Sequence, residues 1–185
     1  QNNDGVLYWF KKNKVKFVDG RGSFAGAVEG GYEIAVSGAT AEVVQARHVI
    51  VATGSSARAL PGAAFDEERI LSNDGALRIG AVPKRLGVVG SGVIGLEMGS
   101  VWRRLGADVT VLEALPDFLG AVDTGVAKEA LKVFTKQGLK IQLGVDITAV
   151  KTTGKHGVAV SYTDAKGDGQ KLEVDRLIVS IGRVP

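Results

Sequence analysis

The strongest constraint on this chain lies between Arg85 and Glu113, where an apolar run, a glycine turn, an amphipathic stretch and a second apolar run follow one another. Arg85 to Val89 has the length and β-branched content of a buried strand, and Ala107 to Leu112 repeats it. Between them, Gly92 to Leu105 carries Ile94, Met98, Val101 and Leu105 on one helical face, with Gly106 as a stop. Strand, helix and strand in that order make a βαβ unit, whose crossover forces parallel pairing. The connecting turn, Gly90-Ser91-Gly92-Val93-Ile94-Gly95, fits G-x-G-x-x-G. In a chain with 26 glycines among 185 residues that pattern alone says little. Its placement between strand and helix, with Glu113 roughly 20 residues on at the end of the next strand, reads as a dinucleotide-binding turn.

Each glycine then has its own reason. Gly90 allows the tight turn, Gly92 lets backbone N–H groups approach a pyrophosphate at the positive end of the helix, and Gly95 lets helix and strand pack closely. Glu113 can accept hydrogen bonds from a ribose with free hydroxyls and would repel a 2′-phosphate. Ala114, Leu115 and Pro116 offer no arginine to receive one, so NAD is expected over NADP. The competing reading is a helix-capping glycine turn in an unrelated α/β domain, with Glu113 a solvated strand end.

The rest of the chain extends this unit. Asp123 is placed to cap a helix carrying Val126, Ala130, Val133 and Phe134, which ends at Gly138 before a third strand, Leu139 to Leu143. The Arg85 to Leu143 core should therefore be a doubly wound parallel sheet with helices on its faces. Asp146 to Thr153, Gly157 to Thr163 and Lys171 to Val174 read as an antiparallel meander, followed by an apolar strand, Arg176 to Ile181. The N-terminal third repeats that theme after a helix tail closing near Asn13: short β runs at Val15 to Phe24, Tyr32 to Val36 and Ala41 to Arg47, then a doubly buried strand over His48 to Ala52. Arg58 to Ser72, with Pro61 and Gly62, lacks a period and reads as the connection, dividing the chain into 1–60 and 61–185.

Composition narrows the chemistry. With no cysteine, the chain carries no disulfide, thiolate metal site or dithiol redox centre of its own, and two histidines far apart make no metal site. His48 begins a strand and His156 sits in a Lys155-His156-Gly157 turn, which suit structural or solvated roles. Ser55 and Ser91 do not match G-x-S-x-G. A net charge of +3 from 23 basic and 20 acidic residues is no basic stripe for nucleic acid, and the apolar runs are too short to span a bilayer.

The run from Arg85 through Glu113 closely resembles the NAD domain of the dihydrolipoamide dehydrogenase family, within the pyridine nucleotide-disulfide oxidoreductases. Ser72 to Leu77, Lys136 to Gly138, Ile50 to Ser55 and Ile181 to Pro185 resemble the same family in the same order. The resemblance implies a Rossmann-like NAD-binding domain, a parallel sheet plus an antiparallel meander, over 61–185, preceded by a partial FAD-domain meander over 1–60. It implies that Gly90, Ser91, Gly92, Val93, Ile94, Gly95, Leu96 and Glu97 line the NAD site. Glu113 would lie on the adenosine ribose, Ile147 beside adenine and Gly182 near the nicotinamide. Gly22, Thr53, Gly54 and Ser55 would contact FAD in the intact enzyme.

In the family, Glu97 corresponds to a carboxylate near flavin and nicotinamide that pairs with a lysine upstream of this chain. The family reaction oxidises protein-bound dihydrolipoamide through a cysteine pair and passes electrons to FAD and then, as hydride, to NAD⁺. The cysteine pair and the catalytic His-Glu pair have no counterpart here, so no catalytic residue is expected in this chain, which reads as the interior of a longer flavoenzyme. The resemblance further implies a homodimer bound to the acyltransferase core of a 2-oxo acid dehydrogenase complex, in the bacterial cytoplasm or mitochondrial matrix. A sister flavoenzyme (mercuric reductase, NADH oxidase or transhydrogenase) and a non-catalytic NAD-binding module are the alternatives. Separated from a larger sheet, 1–60 should show an exposed edge and apolar surface.

Overall fold

A computed structural model describes residues 2–39, 41–154 and 157–185, so the turn expected at Lys155 and His156 lies outside the described residues. The chain divides into two units, 1–53 and 54–185. In the first, α1 (Asn2–Lys12) precedes β1 (Arg21–Val28), β2 (Gly31–Ser37) and β3 (Glu42–Ala46), an antiparallel meander with β2 in the centre. The first strand starts at Arg21, not Val15: Val15 and Phe17 lie in an irregular segment and are exposed. Among the described residues of this unit no hydrophobic side chain is fully buried; the buried core begins at Ala63.

The strand expected over His48 to Ala52 does not form. The segment is irregular, with Ile50 90% and Val51 67% exposed. A strand buried on both faces needs a ladder partner, and among the described residues the three strands of this unit pair only among themselves.

The second unit contains β4 (Ser56–Ala57), β5 (Ile70–Leu71), α2 (Asn73–Ala76), β6 (Arg85–Val89), α3 (Val93–Arg104), β7 (Asp108–Leu112), α4 (Thr124–Lys136), β8 (Lys140–Gln142), β9 (Asp146–Thr153), β10 (Gly157–Thr163), β11 (Gly169–Val174), β12 (Arg176–Val179) and β13 (Arg183–Val184). Residues 54–60, assigned from the sequence to the first domain, are tied to this unit by the pairing of β4 with β13. The central sheet has the order β5-β12-β6-β7-β8 and is parallel throughout.

Period-two alternation divides its side chains between two cores. Leu86, Val88, Val109, Val111 and Ile178 point to the face where Leu96 and Ala127 bring in α3 and α4. Val89, Leu112, Leu177 and Val179 point to the other face, which meets Val158, Val160, Tyr162 and Val174 of the β9–β11 meander. Helices therefore cover one face and a meander the other, in place of helices on both. The meander's apolar inner face supplies the burial a parallel sheet needs there.

The helices sit on the sheet at a rotation their apolar spacing does not show. On α3 the buried residues are Gly95, Leu96 and Gly99, while Val101 and Leu105 are exposed; on α4 Ala127 is buried and Val126 and Val133 are exposed. At Gly95 close approach demands a glycine, since a Cβ there would run into the Gly90 carbonyl; a Cβ on Gly99 would make ordinary contacts, 3.5 Å from Val109 and 3.7 Å from Val88. Asp123 caps α4 as its sequence suggests, accepting from the N–H groups of Gly125 and Val126 at 2.9 and 3.1 Å.

Candidate functional site

Strand order reverses at β6. The chain runs outward through β7 and β8, and β12 returns on the opposite side of β6. Open α/β sheets bind ligands at such a switch point, outside the carboxyl ends of their strands. A cleft of about 610 Å³ lies there. Its walls are Val89, Gly90 and Gly92 after β6, Glu113 to Leu115 after β7, Val145 to Ile147 after β8 and Ser180 to Gly182 after β12, with Leu60 and Pro61 at the rim. Four of these segments, distant in sequence, converge because the sheet aligns their strand ends.

The glycine turn enters this cleft from β6. Gly90 has φ +100, and a Cβ there would run into the carbonyl of Ser180 on the neighbouring loop. A Cβ on Gly95 would strike the Gly90 carbonyl and come within 3.3 Å of Val88. Gly92 differs: a Cβ on it would meet nothing within 4 Å, and it opens α3 with no side-chain cap. The first N–H groups of a helix lack intrahelical acceptors, so this N-terminus offers donors and partial positive charge to an anion.

Glu113 closes the adjoining wall. Its Oε2 accepts from the N–H and hydroxyl of Ser91 at 2.7 and 3.0 Å, and its Oε1 accepts from the N–H of Leu115 at 2.9 Å. Among the described residues, Asp146 is the other charged one in the cleft, and neither lysine nor arginine lines it. Ile147 lines the cleft from β9, and Gly182 does so with φ +122. Val93 and Ile94 line a neighbouring cavity of about 230 Å³ with Gly92 and Gly182. Leu96 is buried in the core beneath, and Glu97 is exposed on α3.

The four residues expected at a flavin are differently placed. Gly22 is exposed on β1, and Thr53 is exposed at the end of the first unit. Gly54, with φ +79, and Ser55 begin the second unit. There, sequence reasoning missed a network. The Arg183 guanidinium donates to the Ser55 hydroxyl at 2.7 Å, to the Ser55 carbonyl and to Asn73 Oδ1 at 2.9 Å. It ties the residue after Gly182 to two segments more than a hundred residues earlier. Spacing gives no hint of such a link, although Arg183 and Asn73 both fall in the runs that carried the resemblance.

A family model described as pyridine nucleotide-disulphide oxidoreductase matches residues 1–185. The chain belongs to this family. Within it, the chain is 61% identical over 98% of its length to a dihydrolipoyl dehydrogenase of Cupriavidus necator, of which it covers 37%. It is 44% identical, again over 98%, to a leghemoglobin reductase of Vigna unguiculata, of which it covers 34%. Among solved structures, LpdA from Mycobacterium tuberculosis superposes with a TM-score of 0.85 at 31% identity, over 98% of this chain and 39% of that one. The chain thus spans little more than a third of the length of these oxidoreductase-family relatives.

Proposed function

We propose that the cleft of residues 54–185 binds NAD(H) in the NAD-binding segment of a flavoenzyme resembling dihydrolipoyl dehydrogenase. One observation carries the reading: the Gly90–Gly95 turn and the Glu113 carboxylate wall the same cleft at the switch point of a parallel sheet. The residues fit the cofactor. Open space at Gly92 leaves room for a pyrophosphate at the start of α3, and Glu113 faces the place where an adenosine ribose would follow. With Glu113 and Asp146 as the only charged residues among the described ones that line it, the cleft disfavours a 2′-phosphate and selects NAD over NADP. Ile147 would border adenine and Gly182 the nicotinamide.

In the intact enzyme, Gly22, Thr53, Gly54 and Ser55 would contribute to FAD binding, with 1–60 as part of a FAD domain and 61–185 as the NAD domain. Bound NAD⁺ supplies a hydride acceptor and FAD an electron relay; this chain's residues bind, orient and discriminate. The whole protein would reoxidise dihydrolipoamide as a homodimer docked on a 2-oxo acid dehydrogenase complex, in the bacterial cytoplasm or mitochondrial matrix. The similarity to a leghemoglobin reductase favours a second reading, in which the same segment serves a sister flavoenzyme with another electron acceptor.

Titrating NAD⁺ and NADP⁺ into wild type and Glu113→Ala tests the cofactor assignment. Wild type should bind NAD⁺ more tightly, and the substitution should narrow the difference; tighter NADP⁺ binding by wild type would sink the assignment. NADH-linked turnover of dihydrolipoamide, with flavin absorbance of the purified protein, separates an enzyme from a binding module.

A further inference from the structure

We propose that the Ser91 hydroxyl is a positioning residue for Glu113 and, through it, a determinant of NAD specificity; this rests on the NAD reading of the cleft. Ser91 is 1% exposed, and its hydroxyl bonds to Glu113 rather than to the turn it sits in. The middle position of G-x-G needs no hydroxyl to form the turn, so the side chain serves something outside it. What it serves is the carboxylate, which has three protein donors: the Ser91 N–H, the Ser91 hydroxyl and the Leu115 N–H.

Two consequences follow from this geometry. A carboxylate has about four lone-pair positions, so three donors leave capacity for a ribose hydroxyl while holding the side chain in one orientation. The ordering cost of aiming a glutamate is met before the ligand arrives. A carboxylate held from both oxygens also cannot swing aside to relieve repulsion from a 2′-phosphate, so the restraint that favours NAD⁺ disfavours NADP⁺. Removing the hydroxyl loosens both effects together, which a change in turn stability alone would not do.

The test is titration of the full chain with NAD⁺ and NADP⁺ in wild type, Ser91→Ala, Glu113→Ala and the double variant. Ser91→Ala should weaken NAD⁺ roughly tenfold or more, the loss of one hydrogen bond to a charged group, and leave NADP⁺ unweakened. In the Glu113→Ala background it should change NAD⁺ affinity no further. Equal weakening of both cofactors, additivity with Glu113→Ala, or unchanged NAD⁺ affinity would overturn the proposal. Ser91→Cys fills the site with a somewhat larger atom that is a much weaker donor and must show the same selective loss, which keeps the test decisive if the alanine variant folds poorly. Wild type that binds no NAD⁺ removes the cofactor reading and this inference with it; wild type that binds, beside an unaffected Ser91→Ala, removes this inference alone.

Discussion

Gly90, Gly92 and Gly95 are equivalent letters of one motif, yet their surroundings differ, and substitution should separate them. A methyl at Gly90 meets the Ser180 carbonyl at a positive φ, and one at Gly95 meets the Gly90 carbonyl. Both changes force backbone apart, and each should cost about 1–3 kcal/mol in chemical denaturation. A methyl at Gly92 meets no protein atom. Gly92→Ala should therefore unfold at nearly the wild-type denaturant concentration while losing at least roughly tenfold in NAD⁺ affinity, because the methyl occupies space needed by the pyrophosphate. If Gly92→Ala is instead the most destabilised of the three, the open space at that position has been misjudged. The motif pattern alone cannot rank these residues, since the ranking depends on Ser180, far along the chain.

At the scale of elements, β6 and β12 are joined at their entry ends by Arg85 and Asp175. Asp175 accepts from the Arg85 N–H at 2.9 Å and from its guanidinium at 3.1 Å. Burial opposes the charged form of Asp175, but the hydrogen bonds and charge of Arg85 outweigh it and hold the carboxyl below its ordinary 3.8. Asp66 behaves alike: burial raises it, while the N–H groups of Arg69, Ile70 and Glu68 lower it further than that. A carboxyl depressed in the folded state adds stability above its unfolded pKa, and that contribution is lost as pH falls through the folded value. Denaturation of wild type and Asp175→Asn should differ most at neutral pH, and the gap should close below about pH 4. A gap independent of pH would mean that shape, not charge, makes the tie. The helices show the limit of pattern at this scale: apolar spacing put Val101 and Leu105 inward, whereas Gly95, Leu96 and Gly99 form the buried face of α3, and at Gly95 only a glycine clears the Gly90 carbonyl.

For the whole molecule, the two units differ in what holds them. Residues 54–185 bury aliphatic cores on both faces of a sheet. The described part of 1–53 buries no hydrophobic side chain fully and exposes Trp9, Phe17, Phe24, Ile50 and Val51. Amides of β1 to β3 should therefore exchange with solvent far faster than those of β6, β7 and β12, since opening free energy tracks buried apolar contact. The exposed apolar surface should also drive self-association with rising concentration, visible by sedimentation. A concentration-independent compact monomer with protected β1 to β3 amides would contradict both expectations.

Local chemistry determined much of this in advance. The βαβ unit, the Asp123 cap, both meanders and the glycine turn with its acidic partner follow from short-range spacing, because strand and helix periods, capping and turn geometry are properties of a few consecutive residues. Tertiary structure alone decided what depends on distant neighbours. His48 to Ala52 has the composition of a buried strand but no ladder to join. The second sheet face took a meander instead of helices, and Arg183 found Ser55 and Asn73 across the chain. Glu113 could be named from its place after a strand, but the three donors that hold it come from two loops that meet only once the sheet is assembled.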